Sequence, residues 1–281
     1  MMTQTTTLPP VLLVGCGNMG GAMLDGWLKE GLAPSFIIDR HRESVPAPHH
    51  LVRSPDDVPD DFHPAMIVLA TKPQKVDAVM AAIAPFALRA PVLSVLAGRT
   101  VAGLSDALAD QLPAGSPVPV VIRAMPNTPC SIGQGMTVCY APPIATPAQR
   151  MLCTRLLRAV GDVAWIDHED QMDMVTAISG SGPAYVFLLA ELMEQVGVAG
   201  GLPPEMARQI ARQTVAGAGA LMVRSGTDPA ILRRNVTSPG GTTQKALEVL
   251  MAPDAWPATL ATALKAAAHR SRELSGPQPV S

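Results

Sequence analysis

Two turns, one rich in glycine and one that combines glycine with hydroxyl side chains, have the residue types and spacing needed to bind an anion. The first, residues 15–20, places Gly15, Gly17 and Gly20 in the pattern G-x-G-x-x-G, between the apolar run Val11–Val14 and an apolar helical pattern. In that position the first glycine permits a tight turn, the second lets a pyrophosphate approach the backbone, and the third lets the helix pack on the strand. The first N–H groups of the helix then face the phosphates. The turn therefore predicts a dinucleotide site, with an ordinary strand–turn–helix as the structural alternative.

An acidic residue and three basic residues follow the second apolar run, Phe36–Ile38. Asp39 lies about 20 residues beyond the glycine turn, where a carboxylate accepts a hydrogen bond from the adenosine ribose of NAD. Arg40, His41 and Arg42 come directly after it. Cations there would instead hold the 2′-phosphate of NADP, and the planar fork of arginine suits phosphate especially. These residues leave the choice between NAD and NADP open, and a solvated charge cluster is the alternative to both.

The second turn, Thr237–Thr243, consists of Thr, Ser, Pro and Gly residues and runs into a predicted helix over 244–251. Free N–H groups and hydroxyls at a helix start suit a carboxylate, although a capped helix start has the same composition. A related turn, Ser179–Pro183, interrupts another apolar pattern. No Ser-His-Asp set, metal cluster or close carboxylate pair accompanies these turns. A nicotinamide supplies hydride itself, so a hydroxyl donor is enough if the acceptor is a reactive carbonyl or imine.

Short apolar runs alternate with helical patterns through the first half of the chain, which is typical of a doubly wound parallel sheet. Ligands of such sheets bind at the carboxyl ends of the strands. We call the turns at these carboxyl ends the rim of the sheet. On this rim Lys72 would face the cofactor or lie on the protein surface, and Asn127 would bind the nicotinamide carboxamide or stabilise its own turn. The predicted strands are Val11–Val14, Phe36–Ile38, Met66–Ala70, Val92–Val95, Val118–Ile122, Gly135–Tyr140 and Val163–Ile166, with helices over 74–87, 101–112 and 147–159.

Helical patterns fill the chain from His168 nearly to its end. The segment Ala184–Gln195 is apolar on almost all sides, which predicts a buried helix. Small residues recur every four positions from Ala207 to Gly219 and would let another helix approach closely, including one from a second subunit. By contrast, residues 40–65 contain five prolines. Proline costs about 3 kcal/mol inside a helix, so this segment is predicted to be mostly loop with a short helical turn.

The composition limits the classes of function. The chain has 281 residues and a net charge of −2, with scattered lysines and arginines that indicate neither a nucleic-acid face nor a membrane-binding helix. Its size allows two domains. The four cysteines form no CxxC pair and no metal-like cluster with histidine, so they are interpreted as reduced thiols of a cytoplasmic protein without a bound metal.

Five motifs together make the chain resemble pyrroline-5-carboxylate reductase, the enzyme family of the last step of proline biosynthesis. They occur in the family's order and span most of the chain, and the third and fifth are the most discriminating. The motifs are VGCGNMGGAM at 14–23, ATKPQ at 70–74, RAMPNTP at 123–129, SGSGPAY at 179–185 and SPGGTT at 238–243. Leu96 and Arg99 depart from the small or apolar residues that are usual beside Ala97-Gly98, and Arg99 could reorganise that turn.

The resemblance implies an α/β protein with an N-terminal Rossmann-type domain over residues 8–167. It implies an all-α substrate-binding and dimerisation domain over 168–276, which pairs with a second copy; assemblies of dimers occur in the family. NADPH, or alternatively NADH, would pass hydride to the ring C=N of 1-pyrroline-5-carboxylate. Thr243 would orient and polarise the imine, and Ser238, Gly240, Gly241 and Thr242 would hold the substrate carboxylate. The cofactor would be bound by Gly15, Cys16, Gly17, Asn18, Met19, Asp39, Arg40, Ala70, Lys72, Pro73, Ala97 and Asn127.

Three alternatives remain at this point. A related two-domain oxidoreductase acting on a β-hydroxyacid would place a catalytic lysine in the second domain, and Lys245 lies just beyond the threonines. An oxidoreductase of another cyclic imine is the second alternative, because one methylene changes discrimination by only about 1–3 kcal/mol. The third is a nucleotide-binding scaffold without turnover.

Overall fold

A computed structural model describes residues 8–276, apart from the side chain of Pro73. The chain divides into two compact units, Met1–Gly180 with Ala267–Ser281, and Ser181–Ala266. The domain ranges predicted from the sequence, 8–167 and 168–276, remain a proposal for the functional division.

The first unit is built on an eight-stranded sheet, which confirms the predicted fold class. The strand order is β3-β2-β1-β4-β5-β6-β7-β8, and only the β6–β7 pair is antiparallel. The central strand β1 is buried along its whole length, as expected for a parallel strand covered on both faces. The strands are β1 Val11–Val14, β2 Phe36–Ile38, β3 His50–Val52, β4 Met66–Leu69, β5 Val92–Ser94, β6 Val121–Met125, β7 Gly135–Tyr140 and β8 Gly161–Trp165.

Helices cover both faces of this sheet and form two separate hydrophobic cores. One core contains Trp27 and Leu156, and the Trp27 indole N–H donates to the Leu156 carbonyl at 2.7 Å. The other contains Ile83 and Leu104. The helices of this unit are α1 Asn18–Lys29, α2 Asp77–Ala87, α3 Val101–Ala109, α4 Pro147–Arg158 and α5 Met172–Val175, followed by a π-helical turn over Thr176–Gly180.

The second unit is helical and contains α6 Gly182–Ala199, α7 Pro204–Ser225, α8 Pro229–Asn235 and α9 Thr242–Leu250. The last helix, α10 Trp256–Ser275, begins in the second unit and ends in the first. α6 and α7 pack as a pair, with the side chain of Ala207 against Gly197. The small residues Ala207 and Ala211 are buried within the chain, so this part of the predicted stripe serves packing inside one subunit.

Two predicted elements differ from the structure in the first unit. The proline-rich segment contains a strand, β3, as well as the short 3-10 turn Pro55–Asp57. The strand was not predicted because its three residues are too few to show the two-residue alternation of a β-strand. The strand predicted at Val118–Ile122 lies instead at Val121–Met125, because Pro117 and Pro119 have no N–H to donate to a ladder.

The prediction that Ala184–Gln195 is buried is wrong for the single chain. No residue of α6 is buried, and Phe187 is 66% exposed. Apolar composition does not distinguish a helix in a core from a helix at a subunit interface. The stretch Glu169–Ala199 also has the length and mean hydropathy of a membrane-crossing helix, by composition only.

Candidate active site

The glycine turn has the geometry of a phosphate cradle. Gly15 adopts φ +91°, and its N–H donates to the Ile38 carbonyl at 2.8 Å. A Cβ atom at Gly20 would lie 2.2 Å from the Gly15 carbonyl oxygen, so helix and loop approach too closely for any side chain there. A Cβ atom at Gly17 would meet no atom within 4 Å. Gly17 is the N-cap residue of α1, and no side chain caps the first N–H groups of this helix. These residues therefore fit a pyrophosphate at the start of α1.

The Asp39 carboxylate connects the loop after β2 to the glycine turn through hydrogen bonds to backbone N–H groups of both. Its Oδ2 accepts the Cys16 N–H at 2.7 Å, and its Oδ1 accepts the N–H groups of His41 and Arg42 at 2.8 Å each. Burial acts to raise the pKa of Asp39, but the three backbone donors outweigh it and the pKa is lowered. The carboxylate is therefore engaged by the protein's own backbone, which weakens the interpretation of Asp39 as the ribose acceptor of NAD.

The Asp39 carboxylate is expected to stabilise the fold in a pH-dependent way. A carboxyl whose pKa is lower in the folded state contributes fully above its unfolded pKa of about 3.9 and loses that contribution as pH falls through its folded pKa. We expect urea unfolding to show Asp39→Asn less stable than the wild type at neutral pH. The difference should shrink as the pH falls below about 4. An equal difference at pH 7 and at the acid end would contradict this role.

The arginines beside Asp39 have different surroundings. The Arg42 guanidinium donates to the Ser44 carbonyl at 3.0 Å and to the Cys16 sulfur at 3.3 Å. Arg53 braces the loop by donating to the carbonyls of Asp39 and Arg42 at 2.8 and 2.7 Å. Arg40 is exposed and forms no hydrogen bond or ion pair within residues 8–276. Arg40 is therefore the arginine among residues 40–42 whose guanidinium remains open to a ligand.

The remaining rim residues follow parallel strands at one edge of the sheet. Lys72 after β4 and Ala97 after β5 are exposed, and the Ala70 N–H bonds the Val14 carbonyl at 2.8 Å. Asn127 after β6 accepts the Met136 N–H at 2.8 Å, so its carbonyl oxygen already supports the turn. Arg99 pairs with Asp77 at the start of α2. Asn18 is exposed and Met19 half-buried, and the side chain of Pro73 lies outside the described part of the structure.

Cys16 is a buried thiol in this loop, and its surroundings favour the protonated form. Burial raises the pKa of its thiol, and the nearby Arg42 guanidinium opposes that rise only in part. All four cysteines are buried free thiols. Among residues 8–276 no three His, Cys, Asp or Glu side chains are grouped as metal ligands would be.

The threonine turn belongs to the second unit and is described by itself. Gly241 is the N-cap of α9, and no described side chain caps this helix. Gly240, at φ +73°, donates its N–H to the Gln244 side chain at 2.6 Å, while Ser238 and Thr242 are exposed and Thr243 is half-buried. The Thr243 hydroxyl has no hydrogen-bond partner in the described chain. N–H groups and a hydroxyl are thus available together at the helix start, which suits a carboxylate.

Sequence reasoning missed one buried ion pair in the first unit. Arg123 on β6 has a side chain only 5% exposed, and it donates to Glu169 Oε1 at 3.0 Å. An arginine inside an apolar strand is a signal that a buried partner exists, because an unpaired buried charge is strongly destabilising. Nothing in the sequence identifies Glu169, 46 residues later, as that partner.

Comparisons with known proteins cover almost the whole chain. Residues 169–274 match the family model described as pyrroline-5-carboxylate reductase dimerisation, and residues 10–98 match that of NADP oxidoreductase coenzyme F420-dependent. Pyrroline-5-carboxylate reductase of Pseudomonas aeruginosa is 37% identical, covering 95% of this chain and 97% of its own. The Synechocystis enzyme of the same name is 36% identical, over 93% and 97%. A solved pyrroline-5-carboxylate reductase from Coxiella burnetii is 30% identical, with a TM-score of 0.85 over 97% of this chain and 100% of that one.

Proposed function

This chain belongs to the pyrroline-5-carboxylate reductase family, and we propose that it reduces 1-pyrroline-5-carboxylate to L-proline. It is an NAD(P)H-dependent oxidoreductase. The observation that carries the proposal is the uncapped start of α9, where N–H groups and a free hydroxyl stand together. That arrangement suits a substrate with a carboxylate beside a hydrogen-bond acceptor, as in this cyclic imine.

The proposed roles divide between the two turns. The nicotinamide supplies the hydride that reduces the imine carbon. Gly15, Gly17 and the start of α1 hold the pyrophosphate, while Lys72, Ala97 and Asn127 line the rim. Ala70, Pro73, Cys16, Asn18 and Met19 complete the cofactor surface.

The second turn holds the substrate. The Ser238 hydroxyl and the Thr242 N–H bind the carboxylate, and the Thr243 hydroxyl donates to the ring nitrogen. The N–H groups of Gly240 and Gly241 join the carboxylate site by exchanging their present bonds to the Gln244 side chain and the Ser238 carbonyl for bonds to the substrate. Donation to that nitrogen withdraws electrons from the C=N bond and favours hydride attack at carbon. Thr243 orients and polarises in this mechanism and forms no covalent bond.

We propose NADPH as the preferred donor, with Arg40 as the residue that binds its 2′-phosphate. Asp39 is engaged by three backbone donors, whereas Arg40 is exposed and unpaired in the described chain. Replacing Arg40 by alanine is expected to lower kcat/KM for NADPH about tenfold, equivalent to one charge-assisted hydrogen bond, and to leave that for NADH nearly unchanged. Steady-state rates with both cofactors measure the ratio. Equal losses with NADPH and NADH would contradict the assignment.

We propose that two copies pair through the helical unit. The dimerisation model covers 169–274, which indicates a homo-oligomer, and α6 exposes Val186, Phe187, Leu188 and Leu192. An unpaired apolar face of this kind favours burial against another protein surface. The assembly is a dimer or an assembly of dimers. We propose that it binds neither a membrane nor nucleic acid, because lysines and arginines are scattered along the chain. Free thiols are typical of a cytoplasmic protein.

The activity is tested by following oxidation of NADPH and of NADH with 1-pyrroline-5-carboxylate. We expect turnover with this imine and formation of proline. A folded protein that binds the cofactor but turns over only a β-hydroxyacid, or only a six-membered imine, would refute the substrate assignment. Binding without turnover on any of the three would indicate the scaffold alternative.

A further inference from the structure

A single carboxylate oxygen joins two segments of the sheet rim in the first unit. Oε1 of Glu169 accepts the N–H of Val101 at 2.9 Å and the guanidinium of Arg123 at 3.0 Å. Val101 is the first residue of α3, and Arg123 lies on β6. Because the Arg123 side chain is almost completely buried, its charge requires this partner, and both segments are fixed relative to Glu169.

Both segments continue into turns that carry proposed cofactor residues. Ala97 lies four residues before Val101, and Asn127 lies four residues after Arg123. Glu169 itself does not belong to either turn. Its position therefore allows it to set the spacing of the two turns without contact with the cofactor.

The segment that begins at Glu169 is held on the same rim at its other end. Asn127 donates its amide to the Ser179 hydroxyl at 3.4 Å. A Cβ atom at Gly180 would lie 2.4 Å from the methyl carbon of Met125, so the π-helical turn packs directly on the end of β6. π-Helical turns inside helices are frequent at functional sites. Residues 169–180 thus form a segment fastened to the rim at both ends.

The end of α10 adds a third attachment. Ser271 is buried and donates its hydroxyl to Asp173 in the middle of the segment at 2.7 Å. One turn further, the carbonyl oxygen of Leu274 would lie 2.9 Å from a Cβ atom at Gly98, beside Ala97. The segment 169–180, the end of α10 from Ala267 onward and the two turns therefore contact one another within the first unit.

We propose that Glu169 is a positioning residue of the reductase, which sets the nicotinamide rim by holding the turns at Ala97 and Asn127 in register. The inference rests on the proposed function, since it assigns those turns to the cofactor. A positioning role differs from that of a purely structural ion pair in one respect. Loss of the Glu169 contacts should misplace the hydride donor, while the glycine turn at residues 15–20 keeps its affinity for the cofactor phosphates.

Two variants separate positioning from folding. Glu169→Gln keeps an acceptor oxygen for the Val101 N–H and removes the charge opposite Arg123. Val101→Pro keeps the Glu169 charge opposite Arg123 and removes the N–H that Glu169 accepts, at the cost of also replacing a buried side chain of the core that contains Ile83 and Leu104. Proline is favoured at the first position of a helix, and Thr100 before it is extended at φ −84° and ψ 159°, as a residue before proline should be. The second variant therefore tests the proposal even if the first fails to fold.

We expect Glu169→Gln to lower kcat by roughly 10- to 100-fold and Val101→Pro by about tenfold, as misplacement of a reacting group does. The dissociation constant of NADPH, from fluorescence titration, should change less than about threefold because the phosphates are bound elsewhere. With NADPH deuterated at the transferred position, the isotope effect on kcat should be at least as large as in the wild type. The slowed step is then hydride transfer.

The control is Ile83→Val, a residue of α2 that is buried in the same core as Val101 but forms none of the hydrogen bonds of Glu169. We expect it to lower the melting temperature, as a lost methylene in a core does, while the bonds of Glu169 to Val101 and Arg123 and the wild-type kcat are kept. The proposal is overturned if folded Glu169→Gln and Val101→Pro keep the kcat of the wild type, or if NADPH affinity falls in parallel with kcat. A wild type that is inactive with 1-pyrroline-5-carboxylate refutes the proposed function instead, and the same comparison is then made with the substrate that it does reduce.

Discussion

Replacing Thr243 by alanine is expected to lower kcat/KM for 1-pyrroline-5-carboxylate by roughly 10- to 100-fold, the cost of one hydrogen bond made to the reacting imine. The Thr243 hydroxyl has no partner in the described chain, so its removal leaves no protein group unsatisfied. The loss should appear mainly in kcat, because polarisation of the C=N bond matters most in the transition state. Initial rates at varied imine concentration and saturating NADPH measure it.

Two further variants test whether the Thr243 hydroxyl itself, and not a neighbouring residue, is responsible for this loss. Thr243→Ser keeps the hydroxyl and should retain most of the activity. Lys245→Ala tests the β-hydroxyacid alternative: Lys245 is 72% exposed and pairs with Glu248 at 2.9 Å, and we expect its loss to have little effect. Unchanged kinetics of Thr243→Ala, or an inactive Lys245→Ala, would contradict the role assigned to Thr243.

Gly17→Ala is expected to weaken NADPH binding by about 10- to 100-fold without lowering the melting temperature of the cofactor-free protein. A methyl group at Gly17 meets no protein atom within 4 Å, so the fold tolerates it. The same methyl occupies the space through which the pyrophosphate approaches the backbone. Each tenfold loss of affinity corresponds to about 1.4 kcal/mol. Titration of NADPH and thermal unfolding of the free protein measure the two quantities.

Gly20→Ala provides the contrast. Its Cβ atom would lie 2.2 Å from the Gly15 carbonyl oxygen, so helix or loop must move. We expect a lower melting temperature in the absence of cofactor. If Gly17→Ala is destabilised as much as Gly20→Ala, or if it binds NADPH like the wild type, the cradle is not at Gly17.

The sheet was predictable because its strands are continuous apolar runs. β1, β2 and β7 begin and end at the predicted residues, and the glycine turn lies between strand and helix as its spacing indicates. Contacts between side chains distant in sequence were not predictable. The spacing of Asp39 predicts a ribose ligand as one of two open alternatives. In the structure its carboxylate accepts three backbone N–H groups, and the geometry that makes these bonds possible exists only after folding.

The helical half shows a different limit of sequence reasoning. The apolar pattern of α6 predicts a buried helix, which is wrong for the single chain, and it does not identify a surface against which these side chains could pack. In the single chain Phe187 is exposed, and the second copy that we propose from the dimerisation match over 169–274 would cover it. The hydrophobic effect acts on total apolar area removed from water and does not distinguish a core from an interface.

The attachment of the end of α10 to the first unit has a consequence for synthesis of the protein on the ribosome. Domains generally fold as they emerge, starting from the N-terminus. Here the sheet is made early, but Ser271 and Leu274, which contact Asp173 and Gly98, are translated only after all of residues 181–266. At roughly 5–20 residues per second the delay is on the order of ten seconds. The unit that is translated first is therefore completed last, and a nascent chain stalled before residue 267 would carry an unfinished nucleotide site.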